Sequence, residues 1–310
     1  MSFSGEVRQE LAECVDPARH CRIAFLCAIL HGCGECSSGL VRIRTENKYA
    51  CGAYQSVLCR TVNEEPTVET ETLEGKLPIF KVTLAGQKES LQLIEAVRME
   101  GVYPDGSFRD FVVDRVLLQK LCCRKAYLRG MFLLSGSVTN PEKSYHLEMV
   151  CPDLEEADLI VWLMESLGLY PHVVQRQNHQ VVYLKEGEQI SDFLGAIGAT
   201  KSMMKLENAR IVRDIAGTVN RRVNCETANL MRTVDASVRQ IRDIEYLRDQ
   251  GVLEKLPENL REAAELRLKM PDATLRELSE ASNPPVGRSG FNHRLMRLSS
   301  LARSLKAGEE

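Results

Sequence analysis

Two periods of apolar residues, the three-to-four spacing of helices and the every-second spacing of strands, alternate along the first two hundred residues of this chain. The first period predicts helices over Phe3–Glu13, Arg19–Gly32, Asn47–Val62 and Gln87–Glu100. The second predicts a strand over Leu40–Thr45, with Val41 and Ile43 on one face and Arg42 and Arg44 on the other. It predicts two more, Thr67–Leu73 and Leu77–Leu84, joined by a turn at Glu74-Gly75-Lys76. A loop at Gly101–Arg109 follows, and the order then restarts. A short helix over Asp114–Cys123 leads to a helix over Lys125–Ser135 and strand material in Ser137–Val150 around Asn140-Pro141. Next come a helix over Asp153–Leu167, a strand pair within Val173–Lys185 around Gln177–His179, and a helix over Ile190–Ile197. The pattern predicts an α+β domain over residues 1–200 built from two copies, about 19–100 and 114–200. Beyond it strand signals vanish. Met203–Arg222 is polar and partly basic, so residues 201–223 read as a helical linker. Glu226–Val234, Ala236–Gln250, Glu258–Lys269, Thr274–Ala281 and Ser289–Leu305 predict an all-α domain over 224–310.

The helices that open the two copies carry matching endings. One reads Phe25-Leu-Cys-Ala-Ile-Leu-His-Gly-Cys-Gly34 and the other Tyr127-Leu-Arg-Gly-Met-Phe-Leu-Leu-Ser-Gly136. Each puts small residues on one stripe, which lets helix backbones approach closely, and ends in a glycine able to take the left-handed conformation that stops a helix. Both resemble the LAGLIDADG motif of homing endonucleases. That resemblance implies a pseudo-twofold α+β fold with a saddle of antiparallel sheet, and one carboxylate from each helix holding divalent metal at the base. The matching positions here are Cys33 and Ser135, neither of which is the hard anionic oxygen that magnesium takes. Glu35 lies just past Cys33, but no acidic residue follows Ser135 until Glu142. The expectation is a kept scaffold with no catalytic residue and no metal at that centre. Residual endonuclease activity is the disfavoured alternative, because phosphodiester cleavage needs carboxylates holding the metals.

Composition narrows the class. Hydrophobic content of 44% and charged content of 27% are those of an ordinary folded protein. The charged opening, Met1 to Leu11, is no secretory signal, and the longest apolar run, Ile23–Leu30, is too short to span a bilayer. The reading expects a cytoplasmic, nucleoid-associated protein with no membrane partner. Of the 11 cysteines, Cys33-Gly-Glu-Cys36 near His31, Cys51 and Cys59 is the arrangement worth weighing. No second C-x-x-C or spaced histidine pair accompanies it, so incidental buried thiols are favoured over a metal or redox site, and no cofactor is expected.

Net charge is −3, but it is unevenly placed. Residues 201–310 hold 20 Lys and Arg against 16 Asp and Glu, of the totals 40 and 43, which leaves the first 200 residues acidic. Between Ser282 and Lys306 there is no acidic residue. A basic end on an acidic body suggests an anionic polymer as partner. Thr274-Leu-Arg-Glu277 is a capping box opening a short helix, and Ser282-Asn-Pro-Pro-Val-Gly-Arg288 is a turn. The last helix stacks Phe291, Leu295, Leu298, Ala302 and Leu305 on one side and Ser289, Asn292, His293, Arg297, Ser300 and Arg303 on the other. An apolar back and a basic, hydrogen-bonding front are what a helix-turn-helix presents to the major groove of double-stranded DNA. The candidate DNA-binding residues are Arg288, Ser289, Asn292, His293, Arg294, Arg297, Arg303 and Lys306. Of these, Arg288, Arg303 and Lys306 suit phosphate rather than bases. The competing reading is a solvated amphipathic helix.

Ser282–Leu298, with Leu275-Arg-Glu-Leu-Ser-Glu280 before it, is similar to the C-terminal domain of the WhiA family of bacterial sporulation and cell-division regulators. The opening Ser2–Leu11 and the segment Asn224–Arg242 resemble the same family. The resemblance spans essentially the whole chain. It implies a degenerate LAGLIDADG domain joined to a helix-turn-helix like that of sigma factors. Functionally it implies a transcription regulator tied to cell division, chromosome segregation or sporulation, with no small-molecule substrate. Thr67-Val-Glu-Thr-Glu-Thr72, together with Glu64, Glu65 and Glu74, bears on the first domain. On the saddle those carboxylates would repel phosphate and favour a protein-interaction role, with a sigma factor, RNA polymerase or division proteins as partners. On a hairpin's solvent edge they would mean nothing.

Overall fold

In the computed structural model, residues 2–37, 40–72, 75, 77–98 and 113–308 are described. Leu73, Glu74, Lys76, Glu100 and the expected loop Gly101–Arg109 lie outside them. The first copy runs α1 (Phe3–Ala12), α2 (Arg19–Cys33), β1 (Gly34–Ser37), β2 (Leu40–Thr45), α3 (Lys48–Val62), β3 (Thr67–Glu71), β4 (Ile79–Leu84) and α4 (Gln87–Ala96). The second runs α5 (Leu121–Ser135), β5 (Gly136–Val138), β6 (Leu147–Cys151), α6 (Leu154–Glu165), β7 (His172–Arg176), β8 (His179–Leu184) and α7 (Gly187–Ile197). Each copy folds into a four-stranded antiparallel sheet, in the orders β1-β2-β4-β3 and β5-β6-β8-β7. The repeat read from periodicity is therefore a repeat of topology. The short strands β1 and β5 escaped a reading by period because three or four residues cannot show one. The segment Asp114–Cys123 is not one helix. Asp114 caps a 3-10 turn over Arg115–Leu118 through the Val116 N–H at 2.9 Å, and α5 starts afresh at Leu121.

The core of this part lies where α2 and α5 pack together. Phe25, Leu26, Ile29, Tyr127, Leu128 and Phe132 are all buried there. Close approach depends on Gly130: a Cβ at this position would stand 2.8 Å from the Ala28 Cβ and 3.1 Å from the Phe25 carbonyl. The terminal glycines act differently from the expectation. Gly34 (φ −82°, ψ 144°) and Gly136 (φ −77°, ψ 143°) are extended, not left-handed. What excludes a side chain is space, since a Cβ would lie 2.9 Å from the Leu30 Cα in one case and 2.7 Å from the Phe132 carbonyl in the other.

The chain divides into two units, Met1–Arg213 and Asp214–Glu310, and the division falls inside α8 (Thr200–Asp249). The expected linker and the two helices after it are one continuous element. No proline or glycine stands between Gly217 and Gly251 to end it, and a polar step at Thr233–Asp235 is insufficient. The second unit continues with α9 (Glu258–Lys269), α10 (Leu275–Ala281) and α11 (Arg288–Gly308). Its own core joins Ile244 and Leu247 of α8 to Leu260, Ala263 and Ala264 of α9, Leu278 of α10, and Phe291, Leu295, Leu298 and Ala302 of α11.

Candidate nucleic-acid interface

The helix-turn-helix is assembled as its sequence dictates. The Thr274 hydroxyl accepts the Glu277 N–H at 3.3 Å, while the Glu277 carboxylate accepts the Thr274 N–H at 2.7 Å, so α10 starts from a complete capping box. The turn between α10 and α11 is longer than the usual three or four residues, yet it is tied down. The Ser282 hydroxyl donates to the Ser279 carbonyl at 2.9 Å, and the Val286 N–H donates to the same carbonyl at 3.2 Å. Glu262 of α9 adds a clamp absent from the sequence reading. One of its oxygens accepts the Asn283 N–H, and the other pairs with Arg294 at 3.1 Å. A single carboxylate thus fixes both the turn and the last helix.

Phe291, Leu295, Leu298 and Ala302 form the buried back of α11, and Leu305 is half-buried beside them. Arg288, Ser289, His293, Arg297 and Arg303 are exposed, and Asn292 is half-buried. Two of the eight candidates face other tasks. Arg294 is turned onto Glu262 and is only 18% exposed, and Lys306 reaches Asp243 at 3.2 Å with its ammonium over the Tyr246 ring. A helical wheel shows direction but not which acid waits on the neighbouring helix. In exchange the structure supplies cations that the sequence reading missed. A cleft of about 400 Å³ lies between α8, α10 and α11, lined by Arg232, Gln240, Arg267, Arg276, Arg288 and Asn292 among others, with no acidic residue in its wall. Arg267 is committed to the Ala273 carbonyl at 2.8 Å, and Arg276 shares an exposed pair with Glu280, whereas Arg232 and Arg288 form no ion pair among the described residues. Arg232 sits on a helix that the reading cut short at Val234, which is why it went unnoticed.

The first unit treats its cations in the opposite way. Register places Arg44, Lys81 and Glu69 side by side, on the sheet face opposite buried Val41, Ile43 and Val82. Glu71 takes Lys81 at 3.0 Å and Arg44 at 3.9 Å, and the Lys81 ammonium holds the Glu71 carboxyl below the usual carboxylate range. In the second sheet Glu148 takes both Arg176 at 3.0 Å and His146 at 3.1 Å. Glu69 and Glu71 therefore lie on the open sheet face, and Glu71 pairs with its bases.

The motif helices end at a pocket of about 340 Å³ lined by Cys33, Arg44, Glu46, Asn47, Ser135 and Glu156 among others. The Cys33 thiol donates to the Ile29 carbonyl and the Ser135 hydroxyl to the Met131 carbonyl, each at 3.3 Å, so both are turned back on their own helices. Burial pushes the Cys33 thiol up to about 12. Glu156, also missed by the sequence reading, is buried, and burial followed by the Asp153 charge raises its carboxyl to about 7. Glu46 and Glu156 are the pocket's carboxyls, but the two helix ends offer only a thiol and a hydroxyl turned back on their own helices, so the pair of helix-end carboxylates that a magnesium site takes is missing among the described residues.

Known proteins match this arrangement along its whole length. Residues 124–216 match the WhiA LAGLIDADG-like domain and residues 219–302 the WhiA C-terminal HTH domain. A probable cell division protein WhiA from Lachnoclostridium phytofermentans is 38% identical, covering 99% of this chain and all of its own length. A protein of the same description from Clostridium tetani is 39% identical over 98% of each chain. This chain belongs to the WhiA family. The full-length DUF199/WhiA crystal structure from Thermatoga maritima covers 98% of this chain at 25% identity, with a TM-score of 0.61. The degenerate LAGLIDADG-like α+β fold and the C-terminal helix-turn-helix are those of WhiA proteins, as the resemblance implied.

Proposed function

We propose that this chain is a sequence-specific DNA-binding transcription regulator acting in cell division, and that it cleaves nothing. The observation that carries the reading is the acid-free wall of the cleft beside α11, set against the pairing of Arg44, Lys81 and Arg176 with carboxylates on the sheets of the first unit. Arg297, Asn292 and His293 project from the early part of α11, where a recognition helix meets base edges; arginine pairs bidentately with guanine and asparagine with adenine. Arg288, Arg303 and Arg232 flank them and suit phosphate. The names of the relatives support the division role; chromosome segregation and sporulation stand on the family resemblance alone. The first unit, with Arg44, Lys81 and Arg176 already paired to Glu71 and Glu148, is read as a protein-contacting platform, with RNA polymerase, a sigma factor or division proteins as partners. With no carboxylate pair at Cys33 and Ser135, magnesium or manganese is expected to leave supercoiled plasmid intact. Anisotropy binding to duplex DNA over a salt series tests the main reading. Arg297→Ala should remove sequence discrimination, whereas Arg303→Ala should weaken all duplexes alike. Equal, sequence-independent losses for both would leave α11 without a base-reading role.

A further inference from the structure

The offset that carries Cys33 onto Ser135 also carries His20 onto Cys122 and Cys21 onto Cys123. The two copies thus bring matching pairs together at the other end of the same helix pair, the ends at which α2 and α5 begin. Four ligand atoms, one from each of these residues, all lie within 4.8 Å of one another. The His20 Nδ1 is 3.2 Å from the Cys123 Sγ and 3.3 Å from the Cys21 Sγ. Around a zinc ion with bonds of about 2.3 Å to sulfur and about 2.0 Å to nitrogen, tetrahedral ligands stand roughly 3.5–3.8 Å apart, which those spacings approach without rearranging the helices. Ala18 and Lys120 occupy the N-cap positions, and neither makes a side-chain cap hydrogen bond.

We propose that His20, Cys21, Cys122 and Cys123 form a structural zinc site that staples the two copies of the first unit. Binding replaces three S–H protons, released to solvent, with three Zn–S bonds, and the neutral His20 imidazole supplies the fourth ligand. Four protein ligands leave no open position, so the ion holds structure and performs no hydrolysis. Three sulfurs and one imidazole suit zinc, not the magnesium of a nuclease. The site is separate from Cys33 and Ser135, which occupy the opposite ends of the same two helices. Periodicity alone hid it because the pairs meet only when the copies are superposed.

Metal content tests this on the full-length, tag-free chain prepared under reducing conditions without chelator. About one zinc per chain is expected, and cobalt exchange should give the charge-transfer and d–d bands of a tetrahedral thiolate site. Cys122→Ser, at an exposed position, should abolish the cobalt spectrum while circular dichroism stays that of the folded chain, and His20→Ala should shift the bands and weaken uptake at least tenfold. Cys59→Ser should keep both stoichiometry and bands. Reduced, folded protein that takes up neither ion, even if a disulfide among these cysteines forms in air, would overturn the proposal. So would a cobalt spectrum that survives Cys21→Ser combined with Cys122→Ser.

Discussion

The two units carry arginines in similar-looking strips, yet they differ in what answers those charges. On the sheets, Arg44 and Lys81 meet Glu71, and Arg176 meets Glu148. On α11, Arg294 and Lys306 take Glu262 and Asp243, and Arg288, Arg297 and Arg303 form no ion pair among the described residues. A count of bases would rank both surfaces as anion-binding. The partner of each base separates them, because a cation already paired releases few counterions when it meets a phosphate.

The contrast breaks most directly at the recognition helix. Arg297→Ala should cost about 1–3 kcal/mol of specific DNA binding, ten- to a hundredfold in Kd, with little loss on random duplex. Arg44→Ala combined with Arg176→Ala should change affinity less than twofold in the same titration; a loss as large as that of Arg297→Ala would move the interface to the sheets. Glu262→Ala sharpens the contrast from the structural side. It frees the Asn283 N–H and leaves the half-buried Arg294 unpaired, so the second unit should lose roughly 1–3 kcal/mol in denaturant unfolding, with DNA affinity falling alongside. In the first unit, Gly130→Val should overpack the contact with Ala28 and Phe25 by about 1–3 kcal/mol and lower its unfolding midpoint.

The smallest effect concerns Glu156. Its folded-state carboxyl titrates near 7, above the value of an exposed glutamate, so ionising it opposes folding. The stabilisation is complete below the unfolded value near 4.5 and is lost as pH rises through about 7. Glu156→Gln should flatten the decline in thermal midpoint between pH 5 and pH 8, read by a pH series of melts. An unchanged slope would place the titration elsewhere.

Fold and site were legible in the sequence to different depths. The repeat, the α+β class, the capping box and the apolar back of α11 all follow from local pattern, and local pattern survives folding. Glycine was read correctly as a constraint at positions 34 and 136 but for the wrong reason, since a left-handed end and a lack of room look alike in sequence. Arg294, Lys306, Arg232 and Glu262 needed neighbours contributed by other helices, which no period reveals. The continuous α8 shows the converse: a helix keeps going where nothing stops it, however polar the step.

Central to this account is that DNA-binding charge resides on α11 and its cleft, with the sheets silent. The slope of log K against log salt for the intact chain on duplex DNA measures it. Each phosphate contact contributes about 0.9 to that slope. Replacing Arg288 and Arg303 by alanine together should lower its magnitude by nearly two, while replacing Arg42, Arg44 and Arg176 together should leave it unchanged. A slope that drops with the sheet variant and holds with the helix variant would contradict the account.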